Sequence, residues 1–197
     1  MKKIILVLCL FNATVAAAQK IPDSGFNHVR LSEEDRTISF ETLPVSGPPG
    51  TVPTKTYFWY ASGHIQSTQG GYSGKLLNGF YRIYFLNKNL SEEGTFDTGL
   101  RHGVWKKWNE AGVLREMITW QNGIKNGAYS QFDENGQVLS VTNYKNGVLE
   151  GVSKQYVTKD SVVTTHYHNG KIVQPAPFLK RINPFRRKKS MPAPQTS

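Results

Sequence analysis

Gly79, Gly103, Gly127 and Gly151 recur every 24 residues, and self-similarity at a fixed period of this size restricts a chain to repeat architectures. A second series, Gly99, Gly123, Gly147 and Gly170, runs at 24, 24 and 23, with Asn122, Asn146 and Asn169 before its last three members. Three aromatic series keep the same period. One is Tyr72, Phe96, Trp120 and Tyr144, with Tyr167 one residue early; the others are Tyr57, Tyr81, Trp105, Tyr129 and Tyr60, Tyr84, Trp108, Phe132. Gly112 and Gly136 mark a further turn position, and both long glycine series are expected to be structural turn glycines.

The content of one unit decides its secondary structure. Gly103 to Trp108 is short and aromatic-rich, Asn109 to Gly112 supplies turn residues, and Val113 to Trp120 returns. Glycine adopts positive φ at little steric cost, and Asn-Gly between aromatic runs is a strong hairpin signal. Leu114, Ile118 and Trp120 share one face of the returning strand, with Glu116 an exception among them. No 3.6-residue stripe persists, and glycine recurs too often for a helix. One such hairpin is marginal in water, so stability must come from stacking each unit on its neighbours. The expected fold is all-β: an elongated antiparallel β-hairpin array of 24-residue units.

The pattern G-x-W-x-x-W, a turn glycine, then W-x-N-G-x-x-x-G is carried by Gly103, Trp105, Trp108, Gly112, Trp120, Asn122, Gly123 and Gly127. It resembles the bacterial variant of the MORN repeat, an array also found in YwqK-type antitoxin or immunity proteins. The resemblance covers residues 57–173 and implies an extended antiparallel β array used for protein or lipid contact. Lys55, Lys88 and Ser153 depart from the pattern where glycine or an aromatic is expected.

The flanks differ from the array. Residues 1–18 combine Lys2 and Lys3, an apolar run from Ile4 to Phe11 and Ala16-Ala17-Ala18, which reads as a signal peptide cleaved near Ala18. The expected location is therefore outside the cytoplasm, periplasmic or in the cell envelope. Cys9, the single cysteine, lies in this segment, as an apolar residue or, alternatively, an acylation site. Either way the remaining chain has no disulfide or cysteine metal site. Residues 19–54 are expected to give a cap strand at Arg36–Thr42 and a Pro/Gly linker from Pro44 to Pro53; residues 55–174 form the repeat domain. Residues 175–197 read as a disordered basic tail. Net charge is +10, and loss of Lys2 and Lys3 leaves +8. Lys180, Arg181, Arg186, Arg187, Lys188 and Lys189 supply most of that excess and are candidates for contact with anionic lipid or lipopolysaccharide.

Catalytic chemistry finds no foothold. His166 and His168 share a strand face without a third ligand nearby in sequence, and the adjacent carboxylates Asp133-Glu134 and Glu92-Glu93 point to opposite faces. His64 and His102 read as solvated residues beside turns. No Ser/His/Asp order, P-loop or dinucleotide fingerprint occurs. No cofactor, metal, nucleic acid or catalytic residue is therefore expected. The candidate interaction face is Trp105, Trp108, Trp120, Tyr129, Phe132 and Tyr144. These rings are either the core of each unit or, in part, an exposed platform for a protein partner of unknown identity. The function expected is a non-enzymatic protein-binding or scaffold module, with an antitoxin or immunity role as its narrower form. Attachment to the envelope through the basic tail is the alternative.

Overall fold

The computed structural model describes residues 27–44, 50–158 and 161–174. All regular structure in them is β. The strands are β1 (Asn27–Ser32), β2 (Arg36–Thr42), β3 (Thr56–Ala61), β4 (His64–Gln69), β5 (Lys75–Phe85), β6 (Leu90–Asp97), β7 (Leu100–Trp108), β8 (Leu114–Gln121), β9 (Ile124–Phe132), β10 (Val138–Lys145), β11 (Val148–Leu149), β12 (Gly151–Thr158), β13 (Ser161–His168) and β14 (Lys171–Val173). From β5 to β10 each strand pairs antiparallel with the next, and the path runs on through β12, β13 and β14. This is the expected array of consecutive hairpins.

Two kinds of turn alternate along it. Thr98-Gly99, Asn122-Gly123, Asn146-Gly147 and Asn169-Gly170 hold both residues at positive φ, near 50° and then 77–86°. That is the type I′ hairpin turn, whose twist matches that of the strands. At the other end Asn109–Gly112 and Asp133–Gly136 form longer turns closed by a side chain. Val113 N–H donates to Asn109 Oδ1 at 2.9 Å, and Gln137 N–H to Asp133 Oδ1 at 2.8 Å. Lys88, in register with Gly112 and Gly136, takes φ 69° itself.

The type I′ turns also join successive units. The N–H of Gly99 donates to the Leu77 carbonyl at 2.7 Å, Gly123 to Arg101, Gly147 to Lys125 and Gly170 to Leu149, each of these three at 2.9 Å. Every such bond reaches back about one unit, and each contributes roughly 1 kcal/mol net. Side chains reinforce some of them: Asn78 Oδ1 accepts from Thr98 N–H at 2.8 Å and Asn126 Oδ1 from Asn146 N–H at 3.1 Å.

The other glycine series is not at turns. Gly79, Gly103 and Gly127 lie inside β5, β7 and β9 with φ of 91°, 68° and 119°, and Gly151 opens β12 at 82°. Between the pairs Ile118↔Tyr129 and Trp120↔Lys125, β9 carries two more residues than β8. The same excess falls between Phe40↔Tyr81 and Thr42↔Leu77, and between Glu93↔Lys106 and Thr95↔His102. A bulge of this kind needs a residue at positive φ, and it re-aims the side chains that follow. Spacing alone does not separate a bulge glycine from a turn glycine, because both demand the same φ.

The start of the array departs from strict repetition. Instead of β4, it is β2 that pairs with β5, and β1 pairs with β2. The flank thus contributes a hairpin to the main sheet rather than a single cap strand. The displaced β3–β4 hairpin joins β5 only at Trp59↔Leu76 and Tyr60↔Lys75, and Phe58 N–H reaches the Gly99 carbonyl at 2.8 Å. Tyr57 and Tyr72 therefore leave their aromatic series and pack, 6.3 Å apart, at a separate cluster of Tyr57, Trp59, Leu76 and Leu100. The main core gathers Ile38, Phe40, Leu77, Ile83, Phe96 and Trp105, with Phe58 and Tyr60 of β3 against it. Tyr167, one residue early in its series, follows a register irregularity between Tyr156 and Thr158 in the β12–β13 pair.

Candidate functional site

Re-aiming by the bulges builds a row of side chains across one face of β6–β10. Phe96 on β6 pairs with Arg101 on β7, and Trp120 on β8 with Lys125 on β9. The Arg101 guanidinium carbon sits 4.4 Å from the Trp105 ring centre, 5.1 Å from Phe58 and 5.4 Å from Trp120. Lys125 Nζ lies 5.1 Å from Tyr144 and 5.9 Å from both Trp120 and Tyr129. Rings and cations thus alternate, an arrangement in which each charge is attracted to the ring faces. Tyr129 and Tyr144 meet edge to face, with centroids 6.3 Å apart.

These side chains wall an open groove of about 510 Å³. Trp105 and Ile118 form part of its lining, together with Arg101, Trp120, Lys125, Tyr129 and Tyr144. Glu92, Lys107 and Glu116, which occupy matching positions on β6, β7 and β8, complete the lining. Glu116, the polar exception on its strand face, accepts a hydrogen bond from the Tyr129 hydroxyl at 3.3 Å. Burial, and then the Glu116 charge beside it, hold the Tyr129 hydroxyl above its ordinary pKa. Tyr81 is pushed up to about 12, first by burial and then by Glu92.

The charges in the groove are incompletely matched. Arg101 Nη2 stands 3.8 Å from Glu92 Oε1, a long ion pair. Lys125 makes no ion pair among the described residues. Among the described residues Arg101 Nε and Trp120 Nε1 find no acceptor and Glu92 Oε1 no donor, although all three are shielded from solvent. A surface of rings and incompletely matched cations can hold an anionic, partly apolar ligand.

Of the six rings expected at an interaction face, Trp105, Trp120, Tyr129 and Tyr144 line this groove, whereas Trp108 and Phe132 do not. Trp105 is only 2% exposed and serves mainly as core. Its Nε1 is already used, 3.2 Å from both the Thr95 and His102 carbonyls. Arg101, Lys107, Lys125, Glu92 and Glu116 were not singled out from sequence as binding residues. The exact 24-residue offset between Arg101 and Lys125 was the available signal; it is masked by Leu77 and Leu149 at the same position of the flanking units. The aromatic series that supplies Tyr81, Trp105 and Tyr129 ends at Ser153, so the row of rings is not continued there.

The histidines are placed elsewhere. His102 lies within β7, half-buried, with Nδ1 lacking a partner, rather than solvated at a turn. His168 Nδ1 faces Glu150 Oε1 at 3.0 Å, and Glu150 also accepts the Asn169 N–H at 2.8 Å. Those contacts hold the Glu150 carboxyl below its ordinary pKa, the Asn169 N–H first. Among the described residues no group of three or more His, Cys, Asp and Glu is placed to hold a metal ion. Lys180 to Lys189 and residues 1–18, expected to be a signal peptide, lie outside the described residues.

No curated protein and no solved structure matches the chain. Residues 101–122 and 125–146 match the family model described as MORN repeat variant. Those two stretches correspond to the β7–β8 and β9–β10 hairpins, so the units most similar to MORN repeat variants are the ones that build most of the groove.

Proposed function

We propose that the chain is an exported, non-enzymatic binding or scaffold module that meets a protein partner across the groove face of β6–β10. One observation carries this reading: Trp120, Tyr129 and Tyr144 line an open groove together with Arg101 and Lys125, whose charges are not fully paired. Aromatic residues and arginine dominate the energetics of protein interfaces, because they bury large area at low entropic cost. The hairpin array and its MORN-variant units support a repeat-based module, in which a rigid sheet presents one continuous surface. An immunity or antitoxin-like role is the narrower version, with a toxin as the partner.

The test is crosslinking and affinity capture of the full chain from the envelope fraction of its native cell, beside a Tyr144→Ser variant. A stoichiometric protein captured by the native chain and lost with Tyr144→Ser is the expected result. Capture that does not change with the variant, or no capture at all, overturns the reading.

A further inference from the structure

We propose that the groove selects an acidic segment in the polyproline II conformation, with carboxylates three residues apart set against Arg101 and Lys125. This rests on the groove being the partner-binding face and goes on to name the chemistry of the partner.

Arg101 and Lys125 stand on β7 and β9, two strand spacings apart and displaced by two residues along the strands, so their backbones are about 12 Å apart, within reach of one ligand through two long side chains. They belong to one row, with the Trp120 ring between them. A polyproline II helix has three residues per turn and rises about 3.1 Å per residue, so side chains at i and i+3 point the same way about 9 Å apart. A β-strand ligand puts same-face side chains about 7 or 13 Å apart, at i+2 or i+4, and pairs them with a backbone that offers no proline rings to the aromatic lining. Aromatic-lined grooves suit polyproline II ligands, since the preformed helix loses little entropy and its rings lie flat on tryptophan and tyrosine. Here Trp120, Tyr129 and Tyr144 supply that lining.

Charge then selects the acidic form. Lys125 is without an ion pair among the described residues, and Arg101 has only the 3.8 Å contact with Glu92. A peptide carboxylate gains both. The Arg101 side chain is 28% exposed and held among three rings. A single side chain reaches such a recessed site more readily than the flat surface of a bilayer does. Glu92 beside Arg101 and Glu116 in the same groove repel a phosphate dianion more than a singly charged carboxylate.

The experiment is calorimetric titration of the full chain with capped peptides of three Glu-Pro-Pro repeats, against the same peptides carrying Gln or Lys in place of Glu. The Glu peptide is expected to bind about tenfold more tightly than the Gln peptide at low salt, and the Lys peptide not at all. Lys125→Gln should weaken the Glu peptide three- to tenfold and leave the Gln peptide unchanged. Glu92→Gln, which frees Arg101, should tighten the Glu peptide about threefold; this opposite-signed effect cannot come from misfolding. Equal affinity for the Glu and Gln peptides, or indifference to both substitutions, overturns the proposal. So does binding to phosphatidylglycerol vesicles that shows the same Lys125 dependence in the absence of peptide binding. A captured protein partner that is lost with Tyr144→Ser but retained with Lys125→Gln would leave the protein-binding reading standing and remove the acidic one.

Discussion

The two ends of the array are built from the same hairpins and hold together differently. Among the described residues every buried hydrophobic side chain, from Ile38 to Trp105, lies between β2 and β7. Beyond Trp105 the exposed apolar residues accumulate instead: Val138, Leu139, Val157, Val162, Val163 and Ile172 among them. The difference comes from β1–β2 and β3–β4, which add side chains over the early strands and close two clusters there. The later strands rest on ladder hydrogen bonds, turn staples and one layer of half-buried rings. Regular repetition therefore provides a sheet but not a core, because a single sheet leaves both faces open unless something covers them. The groove lies at the border, with Trp105 in the core and Tyr144 in the single-layer region.

The sharpest way to break this comparison is to truncate one ring on each side of the border. Trp105→Ala should cost about 3–5 kcal/mol, since it empties a fully packed site; Tyr144→Ala should cost only about 1 kcal/mol. Urea unfolding measures both, and similar losses would mean the two regions share one core.

Alkaline titration gives the next largest effect. Tyr81 packs 5.5 Å from Trp105 and 5.4 Å from Phe96 in the early core, with its pKa raised to about 12. Because the folded value lies above the unfolded one, the stabilisation is intact below pH about 10 and lost as pH rises from there through about 12. It amounts to no more than about 3 kcal/mol. Tyr81→Phe should flatten the stability profile over that window, and an unchanged profile would place the alkaline transition elsewhere.

A smaller effect is expected at Gly94. A Cβ there would stand 2.2 Å from the Trp105 ring, so Gly94→Ala should cost about 1–3 kcal/mol through overpacking. Thermal melting of this variant beside Trp105→Ala would show whether ring and glycine act as one packing unit, by the failure of their effects to add. The smallest effect belongs to the open end. Val163 is 51% exposed, and Val163→Thr should change stability by less than about 0.5 kcal/mol. Hydrogen exchange should find the β12–β13 amides opening well before those of β5–β7; equal protection would indicate a cover over the later strands.

The hairpins and the Asn-Gly turns were readable because they depend on local chemistry, whereas the Gly79, Gly103 and Gly127 series was misplaced at turns. Asn122-Gly123 and Asn146-Gly147 can form a tight turn on their own account, and alternation fixes which residues flank it. The groove was half readable: Trp105, Trp120, Tyr129 and Tyr144 stood out by repetition, whereas Arg101 and Lys125 looked like ordinary solvated charges until neighbouring strands closed rings around them.

The period, the hairpins with their Asn-Gly turns and the all-β class are written in the residues themselves, since each is set within a few positions by φ preference and side-chain alternation. Only the tertiary structure decided that β2 lies beside β5 in the place repetition would give to β4, that Gly79, Gly103 and Gly127 form bulges, and that two cations lie among rings. Those outcomes depend on which strand buries Phe40 and Leu77 best, a competition between partners far apart along the chain that no short stretch of residues records.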